Sequence, residues 1–297
     1  IFRDVVAADG TLKKAWADRG IVLSRYRIPA VGWIIFNMTD PVLGVSRSLR
    51  QALCLSFDVD AYLRVSSDGR HVRATNVVAT GLAGHKEAGP GKYYRLDRKA
   101  AKAKMAQARK ELEAAGMLVD GGVPTLKLDI SGATKRSARY GKLIAAQFAE
   151  IGVKVQVVEN DWPTLVRKIR QGKSQMHVMG WHADYPDAEN FLQLYYSKNI
   201  RSGVTNLRYS NPEFDKLYDR SRTMSDSPAR TKIYARMINI ISEDCPVLLL
   251  NEPVGYQLRH RWVRNVKPYP FAHGLAQYWR IDPALQPRRK AQPIEQP

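Results

Sequence analysis

Between Thr125 and Trp181 the chain alternates between strand and helix patterns, and that alternation leaves few folds open. Thr125–Ile130 alternates apolar and polar residues. Ser137–Ile151 then places Tyr140, Leu143, Ile144, Phe148 and Ile151 on one helical face, with Gly152 as its stop. Val153–Val158 returns to period two, Asp161 stands as a cap before a helix Pro163–Gln171, and Met176–Trp181 forms a third strand. Strand, helix, strand in this order predicts an α/β fold: a parallel or mixed β-sheet flanked by helices on right-handed crossovers. Ligands of such sheets sit outside the carboxyl ends of the strands. The segment Trp181–Tyr185 stands at such an end.

The flanking sequence adds further elements. A short amphipathic helix is predicted over Thr11–Asp18, and an aromatic, branched run Trp33–Phe36 reads as a strand. Ser46–Ser56 reads as a helix and Phe57–Tyr62 as a second short one. Residues 66–96 are glycine-punctuated and loop-like. Asp97 caps a helix Arg98–Ala115 whose apolar stripe is Ala101, Met105, Ala108, Leu112 and Ala115. Ser210-Asn211-Pro212-Glu213 reads as a capping box led by Ser210, and Ser227-Pro228 opens another helix. Pro246–Leu250 is an apolar strand and Asn251–Arg264 a polar strand or turn region. The tail 283–297, rich in Pro, Gln, Arg and Lys, is expected to be disordered.

Composition narrows the class. A chain of 297 residues makes one large domain or two ordinary ones, and its 44% hydrophobic and 25% charged residues suit a globular protein. No apolar run is long enough to span a bilayer. The opening IFRDVVAADG has no Met, basic n-region or apolar h-region, so the chain is read as starting after processing or within a longer protein. The formal charge of +19 invites a nucleic-acid reading, but Lys and Arg are scattered along helix faces and no basic, aromatic-interleaved strand accompanies them. No nucleic-acid partner is therefore expected. Cys54 and Cys245 sit in apolar contexts and read as buried, unpaired thiols, a long-range disulfide being the alternative.

The stretch Met176–Leu194, MHVMGWHADYPDAENFLQL, turns at Gly180 and then sets Trp181, His182, Asp184 and Tyr185 within five residues. A carboxylate between two large rings suits a cationic group held beside an apolar wall, because the rings exclude water and strengthen the ion pair. The alternative is that Asp184 caps the helix that follows. Other chemistry finds less support. Ser131–Arg136 carries one glycine where a phosphate loop needs more, no dinucleotide fingerprint follows any strand, and the six histidines show no ligand spacing for a metal. His182 and Asp184 could pair, yet no nucleophile elbow exists to use them. Neither metal nor cofactor is expected.

Two stretches together go beyond composition. GWHADYPDAENFL with TNLRYSNPEFDKLYDRSRT, and IIFNMTDPVLGVSRSLRQALCLSFDVDAYL before them, resemble the solute-binding proteins of peptide- and nickel-type ABC transporters (family 5) over most of residues 25–280. The resemblance implies a periplasmic-binding-protein-like lobe of class II (cluster C) with an incomplete hinge domain. It divides the chain into 1–37, the end of the hinge or first-lobe domain; 38–250, the second ligand-binding lobe; and 251–282, a return segment. It implies further that Asp184, three residues after Trp181, receives a ligand ammonium, with His182 and Tyr185 on the same wall. Trp33 and Asn251 would face the cleft, with core packing the alternative for Trp33. The Arg that peptide-binding members often carry three residues before the Trp is replaced here by Val178.

The function implied is an extracytoplasmic, non-catalytic, monomeric component of an importer, binding a peptide or other small solute and meeting a membrane permease. The rival readings are an α/β hydrolase using His182 and Asp184, and a basic nucleic-acid binder.

Overall fold

The computed structural model describes residues 2–7, 9–132, 134–200, 207–272 and 274–286. Ala133, His273, most of the expected tail (287–297) and the start of the TNLRYSNPEF stretch lie outside the described residues. The chain divides into two compact units, residues 1–26 with 255–297, and residues 27–254.

The first unit opens with α1 (Phe2–Val5), α2 (Lys14–Ala17) and β1 (Ile21–Arg27). The helix predicted over Thr11–Asp18 shrinks to four residues because none of its side chains is buried, and a short helix without a packed face is not stable in water.

The second unit holds a six-stranded sheet in the order β3-β7-β2-β6-β4-β5. In chain order its elements are β2 (Ala30–Phe36), α3 (Arg47–Ser56), α4 (Val59–Ser67), β3 (Val72–Arg73), α5 (His85–Ala88), α6 (Arg98–Ala114), β4 (Leu126–Ser131), α7 (Lys135–Ala149), β5 (Val155–Asn160), α8 (Trp162–Arg170), β6 (Met176–His182), α9 (Glu189–Leu192), α10 (Pro212–Ser221), α11 (Pro228–Asp244) and β7 (Val247–Glu252). The first unit closes with β8 (Val254–His260), paired to β1, and with β9 (Val263–Arg264) paired to β10 (Arg280–Ile281). Among the described residues its only buried hydrophobic side chains are Val5 and Val6, while Leu258, Tyr269, Tyr278, Trp279 and Ile281 are exposed.

The strand–helix alternation produces the expected mixed sheet. β4 runs parallel to β5 and to β6, and β2 runs antiparallel to β6 and to β7. The second unit begins at Arg27, and β2 is an interior strand of its sheet. Period-two patterning on β2 buries both faces: Ile34 and Phe36 lie level with Val178, Met176 and Leu128, and Trp33 and Ile35 with Met179 and His177.

Capping residues set the helix starts. Asp97 accepts from Ala100 N at 2.9 Å and Asp161 from Thr164 N at 2.7 Å, as predicted. Two starts differ. Asp58 caps α4 through Ala61 N at 2.9 Å, which leaves Phe57 outside the helix and free to fill the core. At α10 the cap is Asn211, taking Glu213 N at 3.0 Å and Phe214 N at 3.1 Å, because Pro212 occupies the first helical position and fixes its predecessor as the cap. The loop-like stretch 66–96 contains β3 and α5.

Polar groups inside this core are mostly satisfied. Arg50, 4% exposed, donates to the Leu43, Gly44 and Asp244 carbonyls, so its charge meets the carboxyl end of α11. Asp129 accepts from Lys168 Nζ at 2.8 Å, Ser174 Oγ at 2.8 Å and Asn160 Nδ2 at 2.9 Å. Burial raises its pKa, but these three donors outweigh it and the carboxyl is held below its ordinary range. Cys54 and Cys245 are free and buried, and burial pushes the Cys245 thiol up.

Candidate functional site

Strand directions decide where a site can form. The carboxyl ends of β4, β5, β6 and β7 and the amino ends of β2 and β3 all lie on one edge of the sheet. The stretch after β6 leaves this rim at Ala183, whose N–H donates to Pro29 O at 2.8 Å, and turns through Tyr185-Pro186-Asp187 into α9. One side chain organises the turn. Asn190, fully buried on α9, accepts from Trp181 Nε1 at 2.7 Å and from Asp184 N at 3.1 Å, and its Nδ2 donates to Asp184 Oδ2 at 3.3 Å.

The two acids of the turn differ in what they spend. Asp187 accepts from Arg230 Nη1 at 2.7 Å, Tyr234 Oη at 2.9 Å and Glu189 N at 2.9 Å. The alternative that Asp184 caps the following helix is not seen: the N-cap is Ala188, and the Glu189 amide is taken by Asp187. A cavity of about 240 Å³ opens beside this cluster, lined by Ala83, Pro186, Arg230 and Tyr234 among others. Asp184 is exposed and, among the described residues, has Asn190 as its one side-chain partner. Its Oδ1 is open to a cation.

Aromatic residues flank Asp184 in the sequence, and another stands on the same rim. Trp181 is half-buried and Tyr185 is 42% exposed, its hydroxyl donating to Glu189. Burial and that neighbouring carboxylate both raise the Tyr185 phenol above its ordinary range. Trp162, at the same rim where β5 passes into α8, leaves its ring 54% exposed. The sequence reading missed Trp162, which only the strand order brings to this edge.

The remaining candidates part ways. His182 follows Trp181 in a strand and so projects to the opposite face, on the side of Gly180. The two side chains therefore stand on opposite faces of β6. His182 is exposed and makes no hydrogen bond to Asp184, to a Ser or to a Cys among the described residues. Asn251 is half-buried opposite Gly32, where an added Cβ would come within 2.6 Å of its Oδ1. Gly32 in turn pairs with Gly180, so neither strand places a Cβ at this pair, and the Asn251 side chain lies over Gly32. Trp33 is 1% exposed and packed in the sheet, its Nε1 without a partner, so it offers no surface to a ligand here. Val178 is half-buried. Among the described residues no cluster of His, Cys, Asp or Glu could hold a metal, and no helix is long and apolar enough to cross a membrane.

The fold is that of the periplasmic binding proteins of the peptide-binding type. The oligopeptide-binding protein AppA of Bacillus subtilis, solved with a nonapeptide, superposes with a TM-score of 0.71 at 21% identity, over 89% of this chain and 53% of that one. The chain belongs to the bacterial extracellular solute-binding proteins, family 5, whose middle-region model matches residues 4–203. Curated relatives include "Probable di/tripeptide-binding protein 5" of Pseudomonas aeruginosa, 28% identical over 80% of this chain and 43% of the relative. The oligopeptide-binding protein OppA of Bacillus subtilis is 26% identical over 74% of this chain and 39% of its own length. The chain thus spans about two fifths of the length of these relatives.

Proposed function

We propose that this chain is the ligand-gripping second lobe of an extracytoplasmic solute-binding component of an ABC importer, taking a peptide or similar small solute by its ammonium group. The observation that carries the reading is Asp184: an exposed carboxylate at the strand rim, beside the Trp181 indole, with one oxygen unused. An ammonium there gains a charge-assisted hydrogen bond, and the flanking rings lower the local dielectric. The peptide-binding names of the relatives agree with this class of ligand.

The protein acts as a binder rather than a catalyst and, as a monomer, hands its solute to a permease at the membrane. Residues 1–26 and 255–286 contribute to a domain completed by chain beyond this sequence. Their thin core and exposed apolar side chains support that, as does the partial coverage of the relatives. In the full-length protein, Asp184→Ala weakens an α-amino dipeptide by about 1.5–3 kcal/mol, roughly tenfold or more in Kd. Titration calorimetry reads this directly, and an unchanged Kd removes Asp184 from the site.

A further inference from the structure

We propose that Asn190 is the positioning residue of this rim, fixing the Trp181 ring and the Asp184 carboxylate in one arrangement and tuning that carboxylate for an ammonium rather than a guanidinium. The selectivity half rests on the ammonium reading of Asp184; the positioning half does not.

Chemistry dictates the orientation of the buried amide. With Oδ1 toward Trp181 Nε1 and Asp184 N, it meets two donors at 2.7 and 3.1 Å, and Nδ2 meets a carboxylate oxygen at 3.3 Å. Flipped, it would set donor against donor at the indole and acceptor against carboxylate. Asn is the residue for this task because it accepts and donates from one planar group. Ser lacks the reach, Asp lacks the donor, and a buried amide leaves no lone pair idle without cost. Asn190 is itself anchored by its own N–H, which donates to Asp187 O at 3.2 Å. The heavily bonded half of the turn thereby carries the sparsely bonded half.

The selectivity follows from which oxygen is taken. Asn190 occupies one site on Oδ2, and Oδ1 has no partner among the described residues. A compact ammonium needs one open oxygen. A guanidinium fork gains its advantage by bonding both oxygens in parallel, and here one of the two already carries the Asn190 amide, which weakens and crowds that second bond.

Two readouts test this. The first needs no ligand: hydrogen exchange by NMR at the Trp181 indole N–H and the Asp184 amide, in the chain described here. Asn190→Ala speeds exchange at both sites about tenfold or more, while slow amides within β2 and β6 keep their rates. Asn190→Ser, too short to reach the indole and serving should the Ala variant fail to fold, speeds exchange in the same way. Unchanged rates in whichever of the two variants folds overturn the positioning role. The second uses the full-length protein with the dipeptide Met-Leu and its N-amidino derivative. The native protein prefers the amine by roughly tenfold, and Asn190→Ala reduces that preference below about threefold. Equal loss for both probes overturns the selectivity. If neither probe binds the native protein while the exchange result holds, the ammonium reading fails and the positioning role stands.

Discussion

Asp184 and Asp187 lie three residues apart on one turn, yet they occupy different electrostatic worlds. Asp187 is bonded to Arg230, to the Tyr234 hydroxyl and to the Glu189 amide, with Arg230 itself only 11% exposed in its side chain. Asp184 lies in solvent with one amide for company. A carboxylate has roughly four acceptor sites. Where the fold fills most of them the acid belongs to the structure; where it fills one, the acid is left over for something else. Counting partners separates the roles of two acids that the sequence presents as neighbours of equal rank.

The sharpest way to break this contrast is to delete each acid in turn and follow unfolding in urea. Asp187→Ala leaves the Tyr234 hydroxyl and the Glu189 amide without their acceptor and strips one of two carboxylates from a largely buried guanidinium, which keeps Asp226 at 2.7 Å and the Ser221 carbonyl at 3.0 Å. The loss is about 3 kcal/mol, toward the lower end for a buried pair because Asp187 keeps some exposure. Burial alone would lower the Arg230 pKa, but Asp187, Tyr234 and Asp226 together outweigh it and hold it raised, in keeping with a cluster the fold depends on. A loss below about 0.5 kcal/mol would show that the bonds around Asp187 are decoration and that partner number does not mark structural acids.

A group with no partner extends the comparison. His177 lies inside the sheet, 1% exposed, with neither ring nitrogen bonded among the described residues. Burial drives its pKa down to about 4, against a smaller opposing pull from Asp129. Its folded pKa lies below the unfolded value near 6.5, so between those limits the unfolded chain binds the extra proton. Stability is therefore essentially full above pH 6.5 and falls as the pH drops toward 4, by roughly 2.5 kcal/mol on this account. Asp129, held below its ordinary range, adds its own loss only at lower pH, as the pH falls through its depressed pKa. His177→Leu removes the loss between pH 6.5 and 4 and costs little at pH 7, since no hydrogen bond is forfeited. Urea titrations at three pH values measure both effects; a variant that keeps the same pH slope would assign it elsewhere.

How legible this was depends on whether the signal is local. The α/β alternation is local: a helix face at Ser137–Ile151 between two period-two runs can be read from side-chain order alone, and β4, α7 and β5 stand where it places them. The caps Asp97 and Asp161 are legible for the same reason. At Ser210-Asn211 two good capping residues stand side by side, and the proline after them decides between them. The Asp184 neighbourhood was visible as an odd composition, but its organiser was not. Asn190 looks like a polar helix residue, and only the closure of the turn over it makes it the buried hub. Trp162 and the Gly32–Gly180 pairing depend on strand order, which no single segment encodes. Trp33 shows the converse: an aromatic residue in an apolar strand reads equally as wall or core, and burial on both sheet faces settles it as core.

The smallest expected effect is the most telling. Asp184→Ala removes one long bond from Asn190 at 3.3 Å and an exposed charge on a strongly basic protein. The bond contributes at most a few tenths of a kcal/mol net, and the lost anion on a chain of formal charge +19 gives up a little long-range attraction. Unfolding free energy should change by less than about 0.5 kcal/mol, within the range of ordinary surface substitutions. Stability that stays level while dipeptide affinity in the full-length protein falls is the signature of a residue kept for binding. A stability loss comparable to that of Asp187→Ala would instead make both acids parts of one structural network, and the division of the turn into a bonded half and an open half would collapse.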